Sequence, residues 1–312
     1  MGRKRKGLPI HGWLNIDKDK DMGATTVVAA VRRLTGAAKA GHAGTLDPMA
    51  TGVLPVALGE ATKTVPYMQD AEKEYLFTVK WGQATDTDDA EGNVIAESDL
   101  HPAAEQIEKI LPQFTGDITQ VPPQFSAVKI AGERAYDIAR RGDAAEIKPR
   151  CVSVKELALL SCTGETAEFR LLCGKGTYVR ALARDMGEAL DTYGHVTILR
   201  RSRVGGFSEK NAISLAKLEE MLHNEPPERL VLPVAAALDD IPALSLTEEE
   251  ALKMSRGQVV RFLTVQDRER LGTAGVNLGQ YAGHVLALSG GRPLAIAEME
   301  GAVLKPVRVF NL

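Results

Sequence analysis

The most unusual stretch of the chain is Gly41-His-Ala-Gly-Thr-Leu-Asp-Pro-Met-Ala-Thr-Gly-Val-Leu-Pro55, closely followed by Leu58-Gly-Glu-Ala-Thr-Lys63. Its glycines and prolines forbid a regular helix, and its apolar residues do not suit a loop bathed in water, so a packed, shaped loop is expected. Asp47 is the only acid between Met22 and Glu60, and Pro48 pushes it out of the helical region. A carboxylate held in such a loop can serve as a nucleophile or as a proton acceptor. An Asp before Pro also forms turns, and spacing alone does not separate the two readings.

Few other residues offer chemistry on spacing alone. Cys151, Cys162 and Cys173 are an odd number, spaced too widely for a C-x-x-C pair, and read as small buried thiols in a reducing compartment. His, Cys and carboxylates do not cluster at zinc spacing, and no nucleotide-binding motif is present. Neither a metal nor another cofactor is therefore expected. Asp86 and Asp88, in Thr85-Asp-Thr-Asp-Asp89, read as members of an acidic turn.

The elements that must position these residues follow from length and periodicity. A chain of 312 residues with 44% hydrophobic content suits a catalytic domain plus a smaller appendage. Gly12 to Asp17 reads as a short strand, followed by an amphipathic helix from about Thr25 to Thr35 that Gly36 stops. Tyr75, Phe77, Val79 and Trp81 alternate with Leu76, Thr78 and Lys80, the period of a strand. Further strands are expected at 152–160, 166–173 and 195–204. Between the last two, Ala181, Leu182, Met186 and Leu190 have helical spacing, with Thr177 as a cap. Consecutive strands with few helices between them favour an α+β fold with a mixed, mainly antiparallel sheet over a doubly wound one.

Two segments read as additions to this core. Residues 124–150 suggest a basic hairpin and a helix around Glu133 to Arg141, ended by Gly142, that could clamp a ligand. After two proline-rich stretches, a capped helix at Thr247 and strands around a Gly290-Gly291 turn suggest a small β-rich domain over 243–312, leaving 1–242 as the catalytic domain.

A net charge of −3 argues at first sight against a nucleic-acid partner. The charge is segregated, however. Residues 1–6 carry four cations, the stretches Lys129 to Lys155 and Arg170 to Arg203 are net positive, and acid concentrates in Asp86 to Asp99 and Asp239 to Glu250. Segregated charge can give an acidic protein a basic face, although ordinary solvated faces would look the same in composition. No apolar run approaches the ~20 residues of a membrane span, and the start lacks the apolar stretch of a signal peptide, so a cytoplasmic protein without membrane contact is expected.

Gly41-His-Ala-Gly-Thr-Leu-Asp-Pro48 resembles the catalytic motif of TruB-type tRNA pseudouridine synthases. The same family pattern is matched by Lys73-Glu-Tyr75, by Gly82-Gln-Ala-Thr-Asp-Thr-Asp-Asp-Ala-Glu-Gly92, by Gly174-Lys-Gly-Thr-Tyr-Val-Arg-Ala-Leu182 and by His195-Val-Thr-Ile-Leu-Arg-Arg201. These motifs follow the family's order and span residues 10 to 207. The C-terminal third resembles the family loosely, and Asp17-Lys-Asp-Lys-Asp-Met-Gly23 departs from its usual Asp-Lys-Pro-x-Gly.

The resemblance implies the pseudouridine synthase fold with a PUA-like C-terminal domain. It also implies isomerisation of a uridine in the T loop of tRNA (position 55 in tRNA numbering) by a monomer that needs no cofactor. Asp47 would act at the sugar, either capturing C1′ or removing the 2′ proton. Tyr75 would lie against the uracil and help remove the C5 proton. Arg180 would pair with Asp47, and Asp89 would belong to the same network. His42 would take the space of the flipped nucleotides, while Lys63 and Leu199 would line the cleft. The insertion, Lys175, Arg200 and Arg201 are expected to contact phosphate. A tRNA-binding folding factor would need the basic clamp but not Asp47, Tyr75 and Arg180 together. A base-cleaving hydrolase would use Asp47 and Asp89 as its two acids.

Overall fold

The computed structural model describes residues 7–130, 132–143, 146–277 and 281–312; the four cations of residues 1–6 lie outside it. The strand Lys73–Trp81 shows how the main sheet forms. Lys73, Tyr75, Phe77, Val79 and Trp81 are buried and the residues between them are half-buried, so one face of the strand turns to a core and the other toward solvent. It lies in the middle of the sheet. The order is Gly12–Lys18, Thr51–Leu58, Gly194–Val204, Lys73–Trp81, Thr166–Cys173, Arg150–Cys162 and Gly116–Gln120. Every neighbouring pair is antiparallel except Gly194–Val204 with Thr51–Leu58. The sheet is thus mixed and mainly antiparallel, as the strand pattern predicts.

That single parallel pair matters for the site. At Gly52 a Cβ would lie 2.2 Å from the Arg201 carbonyl oxygen, and φ is +102°, so only glycine lets the two strands approach here. The helices Ala24–Thr35, Val179–Ala189 and Leu215–Asn224 bury Val27, Val31, Leu182, Met186 and Leu218 in one core with Phe77, Val79 and Phe169. Phe77 and Phe169 stack at 5.1 Å between ring centroids.

Some local expectations are corrected. Thr177 does not cap the helix Val179–Ala189; its hydroxyl donates to Gly174 O, and the N-cap is Tyr178, without a side-chain hydrogen bond. In the insertion, Glu133 and Arg134 pair with Lys129 and Ile130 in a hairpin, so the helix starts only at Ala135 and ends at Arg140. Cross-strand pairing claims the two residues that helical spacing had assigned to the helix. Of the three thiols only Cys173 is buried; Cys151 is exposed and Cys162 half-buried.

A second sheet of five strands is built from Ala243–Ser245, Gly283–Ser289, Arg292–Glu300, Val303–Val309 and Val260–Arg261. Thr247 caps the helix Glu248–Ser255 with a full capping box. Part of this sheet packs onto the first, since Leu286, Ile296 and Phe310 share a buried cluster with Trp13, Val53, Met68 and Phe207. Among the described residues no helix is long and apolar enough to cross a membrane.

Candidate active site

The loop between the strands Ala40–His42 and Thr51–Leu58 carries Asp47, and it is shaped by cations beneath it rather than by regular structure. Arg201 is 1% exposed. Its Nε donates to Val53 O at 2.8 Å, its Nη2 to Gly44 O at 3.1 Å and its Nη1 to Thr45 O at 3.4 Å. On the other side, the Lys18 ammonium donates to the carbonyls of Asp19, Met22 and Pro48. Burial lowers its pKa to about 8, against the pull of Asp47 and its other acidic neighbours. A loop of glycines and prolines cannot satisfy its own carbonyls, and buried carbonyls left unpaired would be costly. Two buried cations supply the missing donors.

Asp47 itself faces a cleft of about 910 Å³ whose walls include His42, Tyr75, Asp89, Tyr178, Arg180 and Leu199. Its side chain is 33% exposed and lies 2.9 Å from Arg180 Nε through Oδ2. The contact is an ion pair without a well-directed hydrogen bond, because the buried Nε–H finds no aligned acceptor. The rest of the guanidinium is committed: Nη1 donates to Thr87 O and lies 3.3 Å from Asp89 Oδ2, and Nη2 donates to Phe125 O. Asp89 is 3% exposed, and its Oδ1 accepts the Thr87 hydroxyl and the Glu91 N–H. Arg180 is therefore oriented from one side while its Nε side meets Asp47.

Tyr75 is buried in the strand facing Leu171 and Arg201. Burial raises its pKa above the usual tyrosine value, against the opposing pull of Arg201, so the phenol stays protonated at neutral pH. His42 has its pKa lowered, first by burial and then by Arg201, and is uncharged near neutrality.

The other expected positions divide. Leu199 lines the cleft. Lys175 is exposed, pairs with Asp70 at 2.9 Å and stands beside the cleft-lining Gly174 and Gly176. Lys63 does not line the cleft: it pairs with Glu60 and donates to Val309 O, at the junction with the second sheet. Arg200 is held by both oxygens of Asp17 and by Glu209, and Arg201 is enclosed under the loop that carries Asp47. Neither offers a free guanidinium to phosphate. Successive strand residues point to opposite faces, so a run of basic residues cannot all face one ligand.

Sequence reasoning missed three contributions. Lys18 lies in the turn that departs from the family pattern, and nothing in its spacing pointed to Pro48. Tyr178 lines the cleft and touches the small core of the insertion around Val128, Ala135 and Ile147; it stands inside the motif Gly174 to Leu182, which was its signal. Asp88 is more than a turn former. Its carboxylate is 2.9 Å from Arg184, and burial still pushes it up to about 6. Asp86 does form the turn, accepting from Asn93.

A mainly antiparallel sheet with a cleft in which a partly open carboxylate is paired with a buried arginine fits an enzyme of the pseudouridine synthase class. Comparison with known proteins agrees. Residues 32–179 match the N-terminal domain of TruB family pseudouridylate synthases, and residues 180–239 match the tRNA pseudouridylate synthase B C-terminal domain. The chain is 48% identical to tRNA pseudouridine synthase B of Caulobacter vibrioides over 313 residues, covering all of both chains, and 48% identical to the Rhodospirillum rubrum protein over the same span. A chain of a Cbf5-Nop10-Gar1 complex superposes with a TM-score of 0.72 at 25% identity, over 96% of this chain and 84% of that one. The protein belongs to the TruB family of pseudouridylate synthases.

Proposed function

We propose that the protein isomerises the T-loop uridine of tRNA to pseudouridine, acting in the cytoplasm as a monomer and without a cofactor. The observation that carries this reading is the Asp47 carboxylate, which lines the cleft partly open to a substrate and is ion-paired to the buried Arg180, while Asp89 is enclosed and bonded. The target base is stacked in a folded T loop and must be extruded to meet it. Uncharged His42, at the cleft wall, suits contact with the displaced nucleotides.

In the reaction the bond from N1 of uracil to C1′ breaks, the base turns while still bound, and C5 bonds to C1′. The C5 proton then leaves and N1 gains one, so nothing is oxidised and no group is imported. Asp47 serves by capturing C1′ or by removing the 2′ proton, and Arg180, 2.9 Å away through Nε, pairs with it. Tyr75, protonated at rest, contacts the base and helps the C5 proton away by passing on its own. An isomerase must keep water from C1′. A hydrolase would need a second carboxylate to activate water, and Asp89 has no free oxygen for that role. In this reading the insertion 124–150 and Lys175 contact phosphate, and 243–312 act as a PUA-like unit beside the catalytic domain 1–242.

The test is conversion of an unmodified tRNA transcript by purified protein in EDTA without ATP, with pseudouridine mapped by position. Product at the T-loop uridine alone supports the reading. Dependence on either addition, release of free uracil, or binding without conversion would each overturn it.

A further inference from the structure

We propose that Asp88 and Arg184 form a positioning pair, outside the cleft, that holds the turn Thr85 to Asp89 in the shape from which Asp89 and Thr87 orient Arg180 and, through it, Asp47. This rests on the reading of Asp47 as the reacting carboxylate. Arg180 and Arg184 stand one turn apart on the helix Val179–Ala189 and so share a face. The turn answers with two consecutive acids: Asp89 meets Arg180 at 3.3 Å and Asp88 meets Arg184 at 2.9 Å.

Two successive side chains reach one helix face only if the backbone bends sharply between them. Asp88 makes that bend with φ +59°, a left-handed conformation unusual for any residue but glycine and best tolerated by Asp and Asn. Such a conformation persists where its surroundings hold it. Here the main chain is fastened to the sheet, Val196 N donating to Asp88 O and Ala90 N to Val196 O. The side chain is fastened to the helix through Arg184.

Arg184 divides its donors so that this contact is kept. Nη1 serves Asp88, while Nε and Nη2 meet Asp185 and Nη2 also donates to Val121 O. Because Arg180 holds Phe125 O, the two arginines grip both ends of the segment 121–125 that leads into the insertion. Neither Asp88 nor Arg184 lines the cleft. Their effect passes through Arg180.

The experiment is single-turnover conversion of tRNA, with tRNA affinity measured in parallel. Asp88→Asn keeps the side-chain shape and the tolerance for a left-handed backbone but removes the charge. Its rate should fall by about tenfold or more, as small displacements of catalytic groups do, while affinity stays within about twofold. Arg184→Met should also slow the reaction, and the double variant should be no slower than the worse single one, as for groups that act as one device. Asp86→Asn, in the same turn but bonded to Asn93, should match wild type. An Asp88→Asn rate within twofold of wild type, affinity lost in step with rate, or single losses that multiply in the double variant would overturn the inference. Asp47→Asn in the same assay separates the two levels: if it is inactive and Asp88→Asn is normal, only the positioning pair fails, whereas an active Asp47→Asn removes both.

Discussion

The loop that carries Asp47 and the junction with the second sheet are both tied by charged side chains, yet the ties differ in kind. Under the loop, Arg201 and Lys18 are almost fully buried and bond backbone carbonyls, so their removal would strand polar atoms away from water. At the junction, Lys63 and Glu60 sit at the edge of an apolar contact between Trp13, Phe207, Leu286 and Phe310. Glu60 also accepts the Asn311 N–H. Buried charge fixes the shape of a loop that has no regular structure of its own, whereas apolar packing joins the sheets and the ion pair only trims their edge. The first arrangement suits a group that must be placed to a fraction of an ångström; the second suits docking.

The comparison can be broken most directly at the carboxylate. Asp47→Asn keeps the shape of the loop and removes the charge, so tRNA binding should persist while pseudouridine formation falls by at least ~10²–10⁴. A single-turnover rate within tenfold of wild type would remove Asp47 from the chemistry. Next in size is Arg201→Met, which leaves the carbonyls of Gly44, Thr45 and Val53 without their donor. A loss of roughly 3 kcal/mol in denaturant unfolding is expected, together with loss of activity. An unchanged unfolding midpoint would show that the loop shapes itself.

At the junction the effects should be small. Burial opposes the charged form of Glu60, but Lys63 and the Asn311 N–H outweigh it and hold its pKa below the usual 4.5. A carboxyl depressed on folding stabilises above its unfolded pKa and loses that contribution as pH falls through the depressed value. Wild type should therefore be more stable than Glu60→Gln above about pH 4.5 by under about 1 kcal/mol, with the gap closing in stronger acid. Unfolding curves of the two proteins from pH 7 to 3 would reveal a gap that widens instead. Smallest of all, Lys63→Met should leave the single-turnover rate within twofold of wild type, since Lys63 lies away from the cleft. A tenfold loss would return it to the active site.

What could be read from the chain was whatever depends on local pattern. Alternation from Tyr75 to Trp81 fixed a strand with one buried face, Gly36 stopped the first helix, and Thr247 announced a capped one, because period and capping are properties of neighbouring residues. The motif order pointed to Asp47, Tyr75, Arg180 and Asp89, which the fold gathers at one cleft from four separate stretches of sequence. Other facts depended on which strand lies beside which. The parallel pairing of Thr51–Leu58 with Gly194–Val204 brings Arg201 beneath the Asp47 loop and turns an expected phosphate ligand into a donor for buried carbonyls. Packing of the second sheet draws Lys63 to Val309, and a helix one turn longer than Arg180 gives Asp88 its partner. Charge and type are written in the sequence, but whether a charged group meets water, an opposite charge or the backbone is decided by contacts between residues up to 251 positions apart, and only the tertiary structure makes them.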